Sequence, residues 1–397
     1  MAAPTDTTRD RADLKGLIYR PEVRQIVYQV ALLALLAFAA VWVVNNVAMN
    51  LRRQNIASGF EFLDRTSGFD ISQSLIEYSN VSTYGRAFWV GLLNTLLVAG
   101  LGIAAATVLG FVVGIARLSS NWLVAKLAAA YVEVLRNVPL LLQLFFWYFA
   151  VLKSLPSPRQ SYALPGGVFL NVRGLSLPAP VPQPGFMAVA LAFAAGLLLA
   201  VAIWWWAKRR QKRTGKRFPV FWTALLAILG LPLAAYLAAG APLNLDYPAL
   251  RGFNFQGGIT VQPELIALWL GLATYTASFI AEIVRSGIQG VPKGQTEAAQ
   301  ALGLSRGQTL RLVVIPQAAR IVIPPLTSQY LNLTKNSSLA VAIGYPDFVS
   351  VFAGTVLNQT GQAVEVILVT MGVFLLISLV TSLLMNWFNR RMALVER

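Results

Sequence analysis

The chain of 397 residues is 56% hydrophobic and only 12% charged, with a mean hydropathy of +0.62, a balance that excludes an ordinary soluble core and indicates a membrane protein. A formal charge of +16 would suggest nucleic acid in a soluble protein, but cations flanking membrane spans account for it, and no nucleic-acid partner is expected. The absence of Cys and His excludes disulfides, thiol or imidazole chemistry and zinc sites of the usual kind.

Residues 1–25 are polar and mixed in charge and read as a cytoplasmic tail. Residues 26–47 are the first span, long enough at ~1.5 Å per residue to cross a ~30 Å hydrocarbon layer. The polar segment that completes residues 26–87 carries Phe60, Phe62, Phe69, Tyr78 and Tyr84, which suit an outer membrane interface. Residues 88–152 hold two spans. The first, 88–116, is studded with glycines that allow close helix packing. The second, 131–152, is kinked or broken by Pro139, with Glu133 and Arg136 three apart on one face.

Residues 153–263 begin with a Pro- and Gly-rich loop to 185, then a helical hairpin of spans 186–207 and 219–240, then a second outer loop. The hairpin turn carries Trp204, Trp205 and Trp206 and the run Lys208-Arg-Arg-Gln-Lys-Arg-Thr-Gly-Lys-Arg217, for which topology and anionic lipid are sufficient reasons. Residues 264–397 hold three further spans, at 264–288, 326–344 and 364–388, giving about eight in all. The first ends with Glu282 and Arg285 three apart; the second is unusually polar, with Asn332, Thr334, Lys335, Asn336, Ser337 and Ser338.

Between them lies a polar loop, 289–325. Thr296 is a candidate helix cap with Glu297 in the first turn, Gly303 stops that helix, and Ser305 with Gln308 has capping-box spacing for a second. The small face of Ala298, Ala299 and Ala301, with Lys293, Arg306, Arg311 and Arg320 nearby, reads as a knob offered to a partner. Loops on the side of the termini hold 22 Lys and Arg against 8 on the other, so the positive-inside rule puts both termini and this knob in the cytoplasm.

Glu297-Ala298-Ala299, three residues, Gly303, nine residues, Val313, one residue, Ile315-Pro316 resembles the EAA loop of permease subunits in ATP-binding-cassette (ABC) importers, with Val and Ile where that pattern usually has Ile and Leu. Four further stretches, Gly91–Gly100, Tyr131–Leu144, Ala281–Gly303 and Leu333–Gly344, are similar to polar amino-acid permeases of the histidine/glutamine type. The length is most similar to the larger permease subunits of general L-amino-acid (Aap/Bzt-type) importers.

The resemblance implies an all-α polytopic protein with the five-helix core of a type I importer permease. The N-terminal span and the inserted hairpin depart from that pattern. It further implies that Gly294, Glu297, Ala298, Ala299, Gly303 and Pro316 serve ATPase coupling. Implied partners are an ATPase dimer that uses ATP and magnesium, a second homologous permease, a periplasmic amino-acid-binding protein, an L-amino acid and the lipid of a bacterial inner membrane. No cofactor is expected on this chain.

Two readings stand for each Glu-x-x-Arg pair, Glu133 with Arg136 and Glu282 with Arg285: neutralisation within one helix, or a link between helices that gates the inner mouth. Lys335 either snorkels to an interface or faces the pathway or the partner permease. An amino-acid substrate presents a carboxylate and an ammonium, for which Asn137, Thr334, Lys335, Asn336 and Ser337 are candidates. Gly290-Val-Pro-Lys-Gly-Gln-Thr296 lacks the spacing and ending of a phosphate-binding loop, and no catalytic or metal-binding set is legible, so ATP hydrolysis belongs to another chain. The rival readings are an ion-coupled secondary transporter or channel, which needs no EAA loop, a membrane enzyme, and a scaffold, which leaves Lys335 without a reason.

Overall fold

The computed structural model describes residues 21–53, 59–216 and 218–392. Among these, seven helices are long and apolar enough to cross a membrane, or eight when one bent pair counts as a span. The helices are α1 (Pro21–Arg53), α2 (Tyr84–Ala116), α3 (Trp122–Asn137), α4 (Leu140–Phe145), α5 (Phe186–Thr214), α6 (Val220–Ala238), α7 (Pro263–Gln289), α8 (Lys293–Ala301), α9 (Arg306–Thr309), α10 (Ile315–Asn336), α11 (Leu357–Thr360) and α12 (Ala363–Met392).

The core is built around α7, whose inner face (Ala267, Leu268, Leu272, Ala277, Ile280, Ala281 and Val284) is almost fully buried. It takes α2 along one side so closely that a Cβ on Gly110 would stand 2.6 Å from Ile280 Cβ. Such small-residue contacts are how helices gain van der Waals attraction where lipid removes the hydrophobic drive. Leu144 from α4 and Val322, Leu326 and Leu333 from α10 complete the cluster.

The third expected span is two arms bent by 107° at Val138-Pro139, the break that Pro139 leads one to expect. Pro139 has no N–H, so the Leu135 carbonyl loses its helical donor. Gln143 supplies the replacement, Nε2 donating to the carbonyls of Leu135 at 2.8 Å and Val138 at 2.9 Å. Two of the carbonyls freed at the break are thereby paired by one side chain.

The seventh span begins well before residue 326. Residues 306–343 form one apolar rod in which α9 passes through a π-turn, Leu310–Val314, into α10 and then a 3₁₀ stretch, Ser337–Ile343. Pro316 follows the π-turn directly, at the point where the hydrogen-bond pattern changes, and Pro324 and Pro325 lie inside the helix. Those prolines and the polar residues hid the true start.

The outer loops also carry more order than the sequence suggests. Phe62 and Tyr84 are buried with Phe348 and Phe352 in an aromatic cluster rather than lying along an interface. The connection after residue 344 is a tightly packed return, with Tyr345, Asp347, Phe348 and Phe352 at 0% exposure. The two loops flanking the hairpin pair with each other: β1 (Tyr162–Leu164), β2 (Val168–Asn171), β3 (Gly174–Leu177) and β8 (Ile259–Val261) make an antiparallel sheet in the order β1-β2-β3-β8. A ribbon of β4 (Ala179–Pro182) with β5 (Leu243–Asp246) ties the two ends of the hairpin together; β6 (Ala249–Arg251) pairs with β7 (Asn254–Gln256). The helices α5 and α6 pack on each other, Gly196 against the Ala227 carbonyl, with their remaining surface exposed.

Candidate functional site

The knob starts one turn earlier than Thr296. Pro292 precedes α8, which begins at Lys293, so Thr296 and Glu297 lie within the helix rather than at its cap. Its end follows the expected chemistry. Gly303 takes φ +78, its N–H donates to the Gln300 carbonyl at 2.9 Å, and Leu304 N–H reaches back to Ala299 at 3.2 Å, the paired bonds of a glycine-stopped helix. The Ser305–Gln308 capping box is complete, with Gln308 Oε1 accepting from Ser305 N–H at 2.9 Å and Ser305 Oγ from Gln308 N–H at 3.4 Å.

One side of the knob faces inward. Ala299 is buried, and Val291, Val314 and Ala318 pack with Ile288 at the junction of α7 and α10. Gln317 Nε2 on α10 donates to Gln295 Oε1 on α8 at 3.2 Å. The other side is open: Gly294, Glu297, Ala298, Ala301 and Gly303 are exposed, and Leu302 is 83% exposed, with Leu310 and Leu312 also bare. Nothing lies within 4 Å of a Cβ built on Gly294, so the chain's own packing does not require glycine there. Pro316 is half-buried at the base.

Beside the knob, Glu282 accepts from both Arg285 on its own helix and Arg117 at the end of α2, forming a three-residue node between α7 and α2. Arg117 was not singled out by the sequence, because pairing between helices leaves no spacing signal. Glu133 and Arg136 are both exposed, and neither is in an ion pair among the described residues; Arg136 instead stacks over Phe279 at 5.0 Å.

The five pathway candidates separate. Thr334 and Ser337 are buried and their hydroxyls donate back to the carbonyls of Tyr330 (2.9 Å) and Thr334 (2.7 Å). Lys335 is exposed and half-buried Asn336 follows it; Asn137 is exposed at the C-terminal end of α3, on another element. Lys335 lines a cleft of about 430 Å³ with Ser338, Val349, Met371, Phe374, Leu375 and Ser378. It is a cation at an apolar wall and makes no ion pair among the described residues.

A buried polar knot, missed by sequence reading, closes the return after α10. Asn94 Nδ2 donates to the carbonyls of Gln73 and Pro346 at 2.9 Å each, Thr95 Oγ1 accepts from Phe348 N–H at 2.9 Å, and Asp347 Oδ1 accepts from Ser350 N–H at 2.8 Å. Asp347 Oδ2 has no hydrogen-bond partner. Burial pushes the Asp347 carboxyl up to about 7 against the lowering pull of its backbone donors, and burial likewise raises the Tyr345 phenol.

Residues 214–394 match the family described as "Binding-protein-dependent transport system inner membrane component". The chain is 55% identical over 383 residues, 96% of each chain, to the general L-amino acid transport system permease protein AapQ of Rhizobium johnstonii. It is 54% identical over 389 residues to the putative amino-acid ABC transporter permease protein YhdX of Escherichia coli, covering 98% of this chain and 99% of that one. It is 41% identical over 428 residues, spanning both chains fully, to the glutamate/glutamine/aspartate/asparagine transport system permease protein BztB of Rhodobacter capsulatus.

Proposed function

This chain belongs to the permease family of amino-acid ABC transporters, of the general L-amino-acid (Aap/Bzt) type, and from that premise we propose that it forms half of a pathway carrying polar L-amino acids across a bacterial inner membrane. It is a multi-pass membrane subunit and not an enzyme; the ATPase is a separate chain. In the proposed assembly it pairs with a second homologous permease, rests on two ATPase copies that use ATP and magnesium, and receives substrate from a binding protein. Both termini and α8 lie on the ATPase side, in line with the distribution of Lys and Arg.

The observation that carries this reading is the open face of α8. Gly294 is the second residue of α8, and no neighbour inside the chain needs it to be bare. A small residue there leaves room for another protein's surface to approach Gly294 and Ala298, with exposed Leu302 supplying apolar area.

Motion has a short route from there. ATP-driven closure of the ATPase dimer displaces α8, which is tied to α10 through Gln295–Gln317 and the Val291–Val314–Ala318 cluster. Since α9 runs into α10 without a break in the rod, the displacement travels along α10 to Lys335 and its cleft, and the Glu282 node passes it to α2. The two permeases rock between outward- and inward-open states around a substrate whose carboxylate meets Lys335 and Asn336, with Asn137 on the opposite arm. An ion-coupled transporter acting alone has no use for a partner-facing knob.

Because the chain has no cysteine of its own, Ala298→Cys gives a single thiol. It is expected to cross-link to cysteines placed in the ATPase groove, with an efficiency that changes when ATP is added. Absence of any cross-link across a scan of that groove, in an assembled complex, contradicts the docking.

A further inference from the structure

The tip of the inserted hairpin carries a feature that coupling and transport leave unused. Trp204, Trp205 and Trp206 are followed at a spacing of one helical turn by Lys208, Arg209 and Arg210, so each cation lies over the ring before it. Lys208 Nζ stands 5.0 Å from the Trp204 ring centre, Arg209 Cζ 3.3 Å from that of Trp205, and Arg210 Cζ 5.3 Å from that of Trp206. Across the turn Phe218 meets Trp206 edge-on at 5.2 Å and receives Arg210 at 5.7 Å, which fixes the connection to α6. Trp205, Trp206, Arg209, Arg210, Arg213 and Thr214 line a cleft of about 350 Å³.

These cations have no counter-ion among the described residues, and the sequence holds no Asp or Glu anywhere between Glu133 and Asp246. A guanidinium held over an indole still has N–H donors for a bidentate acceptor. The cleft thus offers apolar rings at one end and several forked donors at the other. Its place is the end of the hairpin away from the sheets, where the apolar helix meets water.

We propose that this cleft binds the headgroup phosphate of an anionic phospholipid, with the acyl chains lying along the exposed apolar flank of α5 (Leu198, Val201, Trp205). Phosphate satisfies Arg209, Arg210 and Arg213 while the indoles hold the interfacial depth. The lipid would then anchor a hairpin whose helices pack mainly on each other, which gives the insertion a purpose in the bilayer separate from the transport core.

The test is native mass spectrometry of the purified full chain, titrated with phosphatidylglycerol, phosphatidylcholine or soluble glycerol 3-phosphate. Wild type is expected to hold one phosphatidylglycerol about tenfold more tightly than phosphatidylcholine and to ignore glycerol 3-phosphate. The variant R209Q/R210Q/R213Q is expected to lose that preference, while R24Q/K126Q/R390Q, which removes three exposed cations elsewhere, keeps it. An Arg→Lys triple variant at the same positions retains the charge without the fork and is expected to fall between them, and an unchanged elution volume and tryptophan emission show that the chain still folds. Equal lipid binding by wild type and R209Q/R210Q/R213Q overturns the proposal. So does tight binding of glycerol 3-phosphate, which marks a free-anion site, or loss of ATPase association with lipid binding intact, which marks an acidic protein partner.

Discussion

Glu282 on α7 holds Arg117 at the end of α2, and the same carboxylate also takes Arg285 one turn along its own helix. A carboxylate shared by two guanidiniums, all about three-quarters or more removed from solvent, ties α7 to α2. Hydrogen bonds to charged groups of this kind contribute about 1.5–3 kcal/mol. Glu282→Gln is therefore expected to lower the thermal unfolding midpoint in detergent by more than Arg285→Gln, which leaves the Arg117 link in place. A double-mutant cycle between positions 117 and 282 checks it: a coupling near zero would mean that the node holds nothing together.

Gln143 is expected to be intolerant of an apolar isostere. Gln143→Leu removes both donors that cover the Leu135 and Val138 carbonyls at the break after α3, and a buried acceptor left unpaired costs about 1–3 kcal/mol. Faster amide exchange confined to residues 131–145, with a lowered midpoint, is the expected outcome. Wild-type exchange in the variant would show that the break sustains itself.

Asp347 makes stability depend on pH in an unusual direction. Its carboxyl is pushed up to about 7 by burial, above the ordinary value of 3.8, so the folded chain binds the proton more tightly than the unfolded one. The contribution is fully present below about pH 4 and is lost as pH rises through about 7. Across that window it amounts to roughly 2–4 kcal/mol. The midpoint of wild type is expected to be higher at pH 5.5 than at pH 8, and Asp347→Asn, which keeps the acceptor facing Ser350 N–H, is expected to flatten the profile. A profile unchanged by the substitution would assign the dependence to another group.

Gly294 and Gly303 are expected to fail for different reasons. Gly303 is left-handed, so Gly303→Val strains the helix stop by about 1–2 kcal/mol although no atom stands in the way. Gly294 is in open space, so Gly294→Leu is expected to leave the isolated chain as stable as wild type or slightly more so, while weakening pull-down of the ATPase at least tenfold. Equal pull-down by wild type and Gly294→Leu would move the docking face elsewhere.

Much of this architecture is legible in the sequence where signals are local. Hydropathy places the rods, Gly303 and the Ser305–Gln308 box give the knob its stop and restart, and Pro139 announces a break. What escapes is set by distant contacts. Thr296 has the chemistry of a cap, but Pro292 starts α8 earlier, and Pro324-Pro325 mask a helix already under way by Ile315. The strands on either side of the hairpin are three or four residues long, too short for a pattern of their own, and two of their pairings, β3 with β8 and β4 with β5, form only when 153–185 and 241–263 meet. Arg117 finds Glu282 across a helix interface, and Asn94 and Thr95 on α2 hold Pro346 and Phe348, the neighbours of buried Asp347; neither relation has a spacing along the chain.

The central claim is that the exposed face of α8 transmits the work of an ATPase to the spans. ATP-dependent uptake of a panel of labelled amino acids measures it directly. Proteoliposomes would hold this chain, its second permease and the ATPase, with the binding protein outside, and Glu297→Lys as the comparison. The account predicts uptake that needs every component, and a variant that inserts normally yet loses both uptake and ATPase association. Transport by this chain alone down an ion gradient, with Glu297→Lys as active as wild type, would contradict it.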